Sequence, residues 1–438
     1  MMTKKWNKRL TKLVLGGLMA LSVTSATALA ADRMDVDLEQ SISLALQNNK
    51  TIHQSAESLN ASEWAVKEAK GNRGVSLSWS ATANAVGGAS YTNRDQDYTN
   101  TLTASLPVYS GGSLENSQKY AELGLDVSTL SLENTKQTIK LTATKDYYTI
   151  LECKNLLQVR QESVQSLEGH LKNVNAQYNV GTVAKSDVLR SEVELANARQ
   201  LLVSAQNNYD LAMSTFNNDV GLAMDTFINT QEELRYDKYN MVLDDCIQYA
   251  FTHRPDGIAL KKQVEQTKAN IAIAKAGQLP KVSLAATQYI DGNDPFKKDV
   301  TDHWSVGVSA SWDLFDSNVT QAKVKQAEAT QRRIEAAAQQ QLDTIELEVR
   351  QAYLNIQAAE KNIQTTSTAV EKAQEDYKIA QVRYSAGVGT NLDVMDAQVA
   401  LTTAKTNYIQ ALYDYNTSRA SLEKAMGTPV ALDASTYK

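Results

Sequence analysis

Apolar residues along this chain follow two kinds of spacing. Over most of the sequence they recur every three or four residues, which predicts amphipathic helices. In two regions the spacing changes to strict alternation, at 75–109 and again at 281–315. Each region holds two alternating segments of about ten residues around a turn rich in Gly, Asn and Asp, and this pattern predicts two β-hairpins.

The predicted helices come in a fixed order around the first hairpin. A helix over 38–70 precedes it, and an uninterrupted helical segment follows from 112 to 177. At 1.5 Å per residue this segment would be roughly 100 Å long. A non-helical tip at 178–188 then interrupts the pattern, and a helix of about 35 residues returns. The two shorter helices together match the long one, so we expect them to stack end to end beside it.

The second half repeats this plan at an offset of 206 residues. In each tip a Gly follows a Tyr by three residues and an Asp-Val follows it by nine. We therefore predict an internal duplication, whose parts are a first repeat at 31–221, a link at 222–242, a second repeat at 243–427 with its tip at 384–394, and a tail at 428–438.

Each tip carries residues that suit a chain reversal followed by a new helix. Gly387 and Gly389 can adopt positive φ at little cost. Thr390 with Asp393 predicts a capping box, and Ser186 with Asp187 would supply similar chemistry in the first tip. We therefore expect two helical hairpins.

One segment near the N-terminus is long and apolar. It spans 13–30, follows five basic residues and ends in Ala28-Leu29-Ala30, so 1–30 is predicted to be a cleaved secretory signal peptide. The alternative is an uncleaved anchor helix. The chain has a formal charge of −6, and loss of this segment makes it more acidic, so nucleic acid is not an expected partner.

The strands indicate a membrane. Segments of about ten residues with one apolar face match tilted transmembrane β-strands, with tryptophans as interface anchors. The predicted lipid-facing residues are Trp79, Leu102, Leu106, Trp304, Val306 and Trp312. A small soluble sheet packed on helices is the alternative. Four strands cannot close a barrel, and open edges are costly in lipid, so several chains must share one. The pattern itself does not choose between two, three and four copies.

The duplicated plan resembles the outer-membrane efflux protein (TolC) family, as do the segments 106–112 (LPVYSGG) and 312–316 (WDLFD) and the two Tyr-x-x-Gly tips. The resemblance implies a mainly α fold with a β-barrel part. A homotrimer would build a twelve-stranded barrel in the outer membrane above a long coiled-coil α-barrel in the periplasm. It would be the passive exit duct of a tripartite efflux or type I secretion system, with a periplasmic membrane-fusion adaptor and an inner-membrane transporter of the RND, ABC or MFS type.

The resemblance also implies roles for the tips. Asp393 and Asp396 would form carboxylate rings at a periplasmic gate, and Tyr384 would hydrogen-bond Asp187 beside Ser186. The alternative is that the two acids only cap a helix. The residues implied to dock the adaptor are Tyr178, Gly181, Asp187, Gly387, Gly389 and Asp393.

The chain departs from the family at one position of the gate. Gly389 stands where well-known members carry an arginine that bridges to the hydroxyl matched by Ser186. This leaves Lys185 and Arg190 as candidates for holding the closed state.

No sequence pattern predicts catalysis. The four histidines and two cysteines lack ligand spacing, and no nucleophile motif or phosphate loop is present, so we expect neither enzyme activity, metal nor cofactor. The alternative function is an extracytoplasmic coiled-coil structural or adaptor protein without a pore, which would not need lipid-facing strands. The pattern does not identify a substrate.

Overall fold

A computed structural model describes residues 33–86, 95–292 and 300–430. The predicted signal peptide, the two hairpin turns at 87–94 and 293–299, and the end of the tail lie outside these ranges. The elements in chain order are β1 (Arg33–Val36), α1 (Leu38–Asn48), α2 (Lys50–Gly71), β2 (Ser76–Val86), β3 (Asp95–Tyr109), α3 (Ser113–Asn179), α4 (Lys185–Val220), β4 (Phe227–Thr230), α5 (Leu243–His253), α6 (Pro255–Lys275), β5 (Lys281–Gly292), β6 (Val300–Ser311), α7 (Val319–Ser385) and α8 (Asn391–Met426).

The two long helices are confirmed, since α3 and α7 each run for 67 residues. Along α3, α2 covers the first half and α4 the second, and α6 and α8 divide α7 in the same way. Polar contacts fix the antiparallel register, as between Ser62 and Ser128 (2.7 Å) and between Arg199 and Glu168 (2.7 Å). The predicted stacking of shorter helices beside each long one is therefore correct.

The helix predicted over 38–70 and its counterpart in the second repeat, over 243–276, are wrong in one respect, because each is two helices. The first breaks at Asn49, whose backbone is extended (φ −67°, ψ 124°) and whose side chain accepts from the Thr51 amide at 2.8 Å. The second breaks at Arg254, where Pro255 begins α6. Proline lacks an amide donor and disfavours helical backbone in the residue before it, so it ends α5 there.

Two short strands in the middle of the molecule were not predicted. β1 pairs in parallel with β4, which lies in the link between the repeats. Around them is the largest hydrophobic core, whose completely buried aromatic residues are Tyr147, Phe216 and Tyr415. The start of the first repeat is thus joined to the link that follows it.

The remaining strands form one antiparallel sheet in the order β2-β3-β5-β6. The hairpin of each repeat therefore meets the other through β3 and β5, and β2 and β6 are left as edges. The alternating region was predicted to reach 315, but β6 ends at Ser311. Trp312 lies beyond it and donates its indole N–H to the Gln278 carbonyl at 3.0 Å. The positive φ values of Ser317 and Asn318 then turn the chain into α7.

Register gives the sheet two distinct faces. Trp79 pairs with Leu102, and Gln288 pairs with both Leu102 and Trp304, so these residues share the face that is mostly apolar. The opposite face is lined by hydroxyls that bond across strands, as in Ser76–Ser105 (2.7 Å), Thr103–Thr287 (3.2 Å) and Ser283–Ser309 (3.0 Å). The predicted alternation is confirmed.

The apolar face is not covered by helices. The exposed fraction is 70% for Trp79, 73% for Trp304 and 61% for Val306, while Leu106 is half-buried. A soluble sheet packed on helices would bury these side chains. Within the described ranges, no helix combines the length and apolarity needed to cross a membrane.

Candidate functional site: the helical tips

Both tips reverse the chain at a glycine with positive φ, namely Gly181 (+80°) and Gly387 (+74°). Gly389 was expected to do the same but does not. Its amide donates to the Arg383 carbonyl at 3.0 Å, and a Cβ there would lie 3.0 Å from the Tyr384 nitrogen. Glycine therefore suits position 389 through close approach rather than through an unusual backbone angle, since a side chain there would have to displace neighbouring atoms of α7 slightly.

The caps of the two returning helices differ. The Thr390 hydroxyl accepts from the Asp393 amide at 3.1 Å, and the Asp393 carboxylate accepts from the Thr390 amide at 2.9 Å, which confirms the capping box. In the first tip the N-cap residue is Ala184, so the cap predicted at Ser186 is wrong. Only half of the box forms there, since Asp187 accepts from the Ala184 amide at 3.3 Å.

Asp393 and Asp396 are both exposed and line one groove with Asp376 and Arg383. Hydrogen bonds from Thr390 hold the pKa of Asp393 below its usual range, and the Arg383 charge adds to this. Capping accounts for Asp393 at the third position of α8. It does not account for Asp396, because the orphan amides of a helix lie in its first turn.

The hydrogen bond expected between Tyr384 and Asp187 is not formed. Tyr384 is 7% exposed, and its hydroxyl has no hydrogen-bond partner within the described ranges. The Asp187 carboxylate is instead committed to the Ala184 amide. The pKa of Tyr384 is nevertheless raised, chiefly by burial and additionally by the negative charge of Asp187.

Neither cation suggested for the closed state joins the two hairpins. The Lys185 ammonium lies 5.4 Å from the ring centroid of Tyr178 in its own hairpin, and Arg190 is exposed on α4. Of the residues expected to dock an adaptor, Tyr178, Gly181 and Gly387 are exposed at the end of the molecule, while Gly389 is half-buried.

A buried polar cluster between the hairpins was missed. Asn391 is 4% exposed, and its amide nitrogen donates to the Asp187 carbonyl at 3.1 Å and to the Ser191 hydroxyl at 3.2 Å. Its carbonyl oxygen accepts from His170 Nε2 at 2.6 Å. The His170 ring in turn lies 5.1 Å from that of Tyr384. We call His170, Asn391, Ser191 and the Asp187 carbonyl the Asn391 cluster; with Tyr384 against it, it connects all four tip helices.

The hydrogen bonds of this cluster set the protonation of His170. Because the amide nitrogen of Asn391 faces two acceptors, its oxygen faces the imidazole, and His170 must carry a proton on Nε2. Burial lowers the pKa of His170 and the hydrogen bond to Asn391 partly offsets this, so the surroundings favour the neutral ring. The sequence signal was weak: His170 sits on an apolar seam, and Asn391 follows a capping threonine.

The other histidines are separate from the tips. The ring of His253 stacks on Tyr249 at 3.9 Å, and that of His303 stacks on Tyr289 at 4.6 Å. In the part of the chain that the structure describes, no three His, Cys, Asp or Glu side chains are grouped to hold a metal ion.

The match to a known family covers the two repeats as separate segments. The model of the family described as "Outer membrane efflux protein" matches residues 41–218 and 246–428. Outer membrane protein TolC of Escherichia coli K12 is 24% identical over 374 residues, which cover 78% of this chain and 73% of that protein. The pyoverdine export outer membrane protein OpmQ of Pseudomonas putida is 22% identical over 334 residues, or 74% of this chain and 69% of the relative.

Solved structures share the fold over most of the chain. The channel CusC superposes with a TM-score of 0.80 at 17% identity and covers 89% of this chain and 92% of its own. The outer membrane protein VceC of Vibrio cholerae gives 0.79 at 19% identity and covers 89% and 96%. The fold is therefore mainly α with a β part, internally duplicated and of the kind found in channels.

Proposed function

This chain belongs to the outer membrane efflux protein family, and from that premise we propose that three copies form the exit duct of a tripartite efflux or secretion system. It is an efflux protein of the outer membrane and conducts passively. A periplasmic membrane-fusion adaptor and an inner-membrane transporter of the RND, ABC or MFS type would supply substrate and energy. The predicted signal peptide at 1–30 would direct its export, and the helical part would extend into the periplasm.

The observation that carries this proposal is the four-stranded sheet, which has two open edges and an exposed apolar face. Unpaired edge groups cost several kcal/mol each in hydrocarbon, about as much as a lost hydrogen bond in an apolar medium. Because β2 and β6 run in opposite directions, β6 of one copy can pair antiparallel with β2 of the next. Three copies would give twelve strands in one closed barrel.

The two faces of the sheet support the orientation of this barrel. We assign Trp79, Leu102, Leu106, Trp304 and Val306 to the lipid side, with Trp312 just past the strand at the periplasmic edge. The serine and threonine hydroxyls then line the lumen. A coiled-coil adaptor without a pore would gain nothing from this arrangement, and the exposed apolar face would be an aggregation hazard.

At the opposite end, the tips form the proposed entrance. Asp393 and Asp396 of three copies would surround it, and six carboxylates in a narrow opening favour cations. Tyr384, Asp187 and Ser186 lie behind this ring, while Tyr178, Gly181 and Gly387, with Gly389 behind them, would contact the adaptor.

Planar lipid bilayers test both ends of the proposal. The purified trimer should give steady conductance with a reversal potential that favours K⁺ over Cl⁻ in a salt gradient. Asp393→Asn with Asp396→Asn should reduce this preference and preserve the helix cap, because an asparagine oxygen still accepts hydrogen bonds. The matched control is Asp343→Asn, an exposed acid of α7 far from the tip.

The outcomes separate the two claims. Folded trimer without conductance would refute the pore. Conductance with unchanged selectivity in the double variant would refute the carboxylate ring and leave Asp393 as a capping residue.

A further inference from the structure

Among the described residues, several polar contacts join the two hairpins of one protomer, and the buried group nearest the tip is the Asn391 cluster. Farther along, Lys405 bonds Glu162 at 2.8 Å, but both side chains are partly exposed (31% and 45%). At the tip itself, the Asn391 cluster joins α8 to α3 and α4 with three bonds to one side chain. Separating the α7/α8 hairpin from the α3/α4 hairpin would break all three.

The hydrogen-bond donors of Asn391 and Ser191 in this cluster all have acceptors. Both amide hydrogens of Asn391 have acceptors, and the Ser191 hydroxyl donates to the Asp187 carbonyl at 2.9 Å. Buried polar groups tolerate little change, because any group that loses its partner keeps its full desolvation cost. The arrangement therefore holds one relative position of the hairpins and opposes intermediate ones.

We propose that the Asn391 cluster is the clasp that keeps the two helical hairpins of each protomer together at the periplasmic tip, and that acid opens it by protonating His170. This deepens the proposed function and depends on it only in treating the tips as the movable entrance.

The surroundings of His170 explain why a second proton is not accommodated. From α7, Tyr384 presents its ring to the imidazole, and from α8 Asn391 is neutral. From α4, the Asp187 carboxylate is turned to the Ala184 amide. The hydrophobic cluster of the same tip includes Leu171, Val174, Val188, Val394 and Ala397. An imidazolium here would be a desolvated cation with no carboxylate bonded to it.

The sign of the pH effect follows from this burial. The folded, joined tips depress the pKa of His170 below its ordinary value of 6.5. The contribution of the clasp is therefore complete above pH 6.5 and is lost as the pH falls through the lowered value. One titrating site changes the ratio of joined to separated tips by at most about tenfold per pH unit.

Distance measurement between spin labels tests the proposal without requiring conduction. Labels at Val180→Cys and Val388→Cys, whose side chains are 75% and 68% exposed, report the two turns. The native Cys153 and Cys246 are replaced by alanine, and co-expression with excess unlabelled chain limits each trimer to one labelled copy. We expect a single short distance at pH 8 and a longer, broader distribution at pH 5.

Two variants identify the group responsible. In His170→Gln the side-chain amide can donate to Asn391 but does not titrate, so the short distance should persist at pH 5. In Asn391→Ala the distance should be long at both pH values. Asp393 and Asp396 are unchanged in both variants, so their own protonation cannot produce the difference.

An unchanged wild-type distance between pH 8 and pH 5 would overturn the proposal without any variant. An equal acid response in His170→Gln would overturn it as well. If the protein failed to conduct but the distances behaved as described, the clasp would stand and the pore would fall.

Discussion

Replacement of Arg254 by methionine should destabilise the middle of the molecule more than any single surface change. The guanidinium is 3% exposed and donates to both carboxylate oxygens of Asp256 at 3.0 and 2.6 Å. It also donates to Glu348 at 2.5 Å and to the Ala425 carbonyl at 3.3 Å. Arg254 thus connects the break between α5 and α6 to both α7 and α8.

The expected loss in the free energy of unfolding depends on how buried each partner of Arg254 is. Breaking a buried ion pair from one side costs about 3–5 kcal/mol, because a charge remains without its counter-ion. Asp256 is 24% exposed and Glu348 42% exposed, so water replaces part of what Glu348 loses. We expect a loss of about 3 kcal/mol at neutral pH, the low end of that range.

The loss should shrink in acid. Burial raises the pKa of Asp256, but the hydrogen bonds and charge of Arg254 outweigh it and hold the pKa below 3.8. This contribution is present above pH 3.8 and disappears as the pH falls through the lowered value. In the variant, Arg254 no longer opposes the effect of burial, so the pKa of Asp256 rises. The buried carboxylate then becomes neutral at a higher pH than in the wild type, and the free-energy cost of leaving it without a counter-ion disappears at pH 4.

The assay is urea unfolding of the trimer in detergent, followed by far-UV circular dichroism at one protein concentration and at pH 7 and pH 4. The matched control is Arg350→Met, whose partner Glu346 lies one turn away on α7, both about half exposed. It should cost less than about 0.5 kcal/mol. Equal losses for the two variants, or a loss at Arg254 that does not decrease at pH 4, would refute the reasoning.

Three further changes test the membrane face, the repeat ends and the tip. Val306→Arg should cost about 2–4 kcal/mol and reduce folded trimer in the outer membrane fraction, whereas Ser305→Arg on the hydroxyl face should be tolerated; similar yields would contradict the assigned orientation. Gly427→Ala should lower the melting temperature, because φ is +74° and the new Cβ would lie 2.7 Å from the Arg254 Cα, while Gly71→Ala meets open space and should not lower it. Thr390→Ala should remove about 1 kcal/mol from the start of α8 and speed amide exchange there, measured by mass spectrometry; unchanged exchange would count against the cap.

The sequence was sufficient wherever a period or a turn residue controls structure locally. Alternation predicted the strands and their faces, and the spacing of three and four predicted both 67-residue helices. Gly387 and the Thr390 capping box were also predictable, because each depends on residues within one turn. The TolC-like plan followed from the order of these elements.

What could not be predicted depends on contacts between distant segments. Asn391 is hydrogen-bonded to His170, which precedes it by 221 residues, so no local pattern marks the pair. β1 and β4 have four residues each and form only because the core brings them together. Gly389 resembles a turn glycine in sequence, and only the backbone of Arg383 beside it shows the other reason.

The long helices have one mechanical property that follows from how they are covered. Each long helix of roughly 100 Å is covered along its two halves by separate shorter helices, which meet end to end near Gly221 and Gly427. At this joint α1 packs on α3 and α5 packs on α7, within the largest hydrophobic core, so a second layer braces the long helices where the shorter ones end. Motion imposed at the tips should therefore stop at this core, and the strands at the other end would move little.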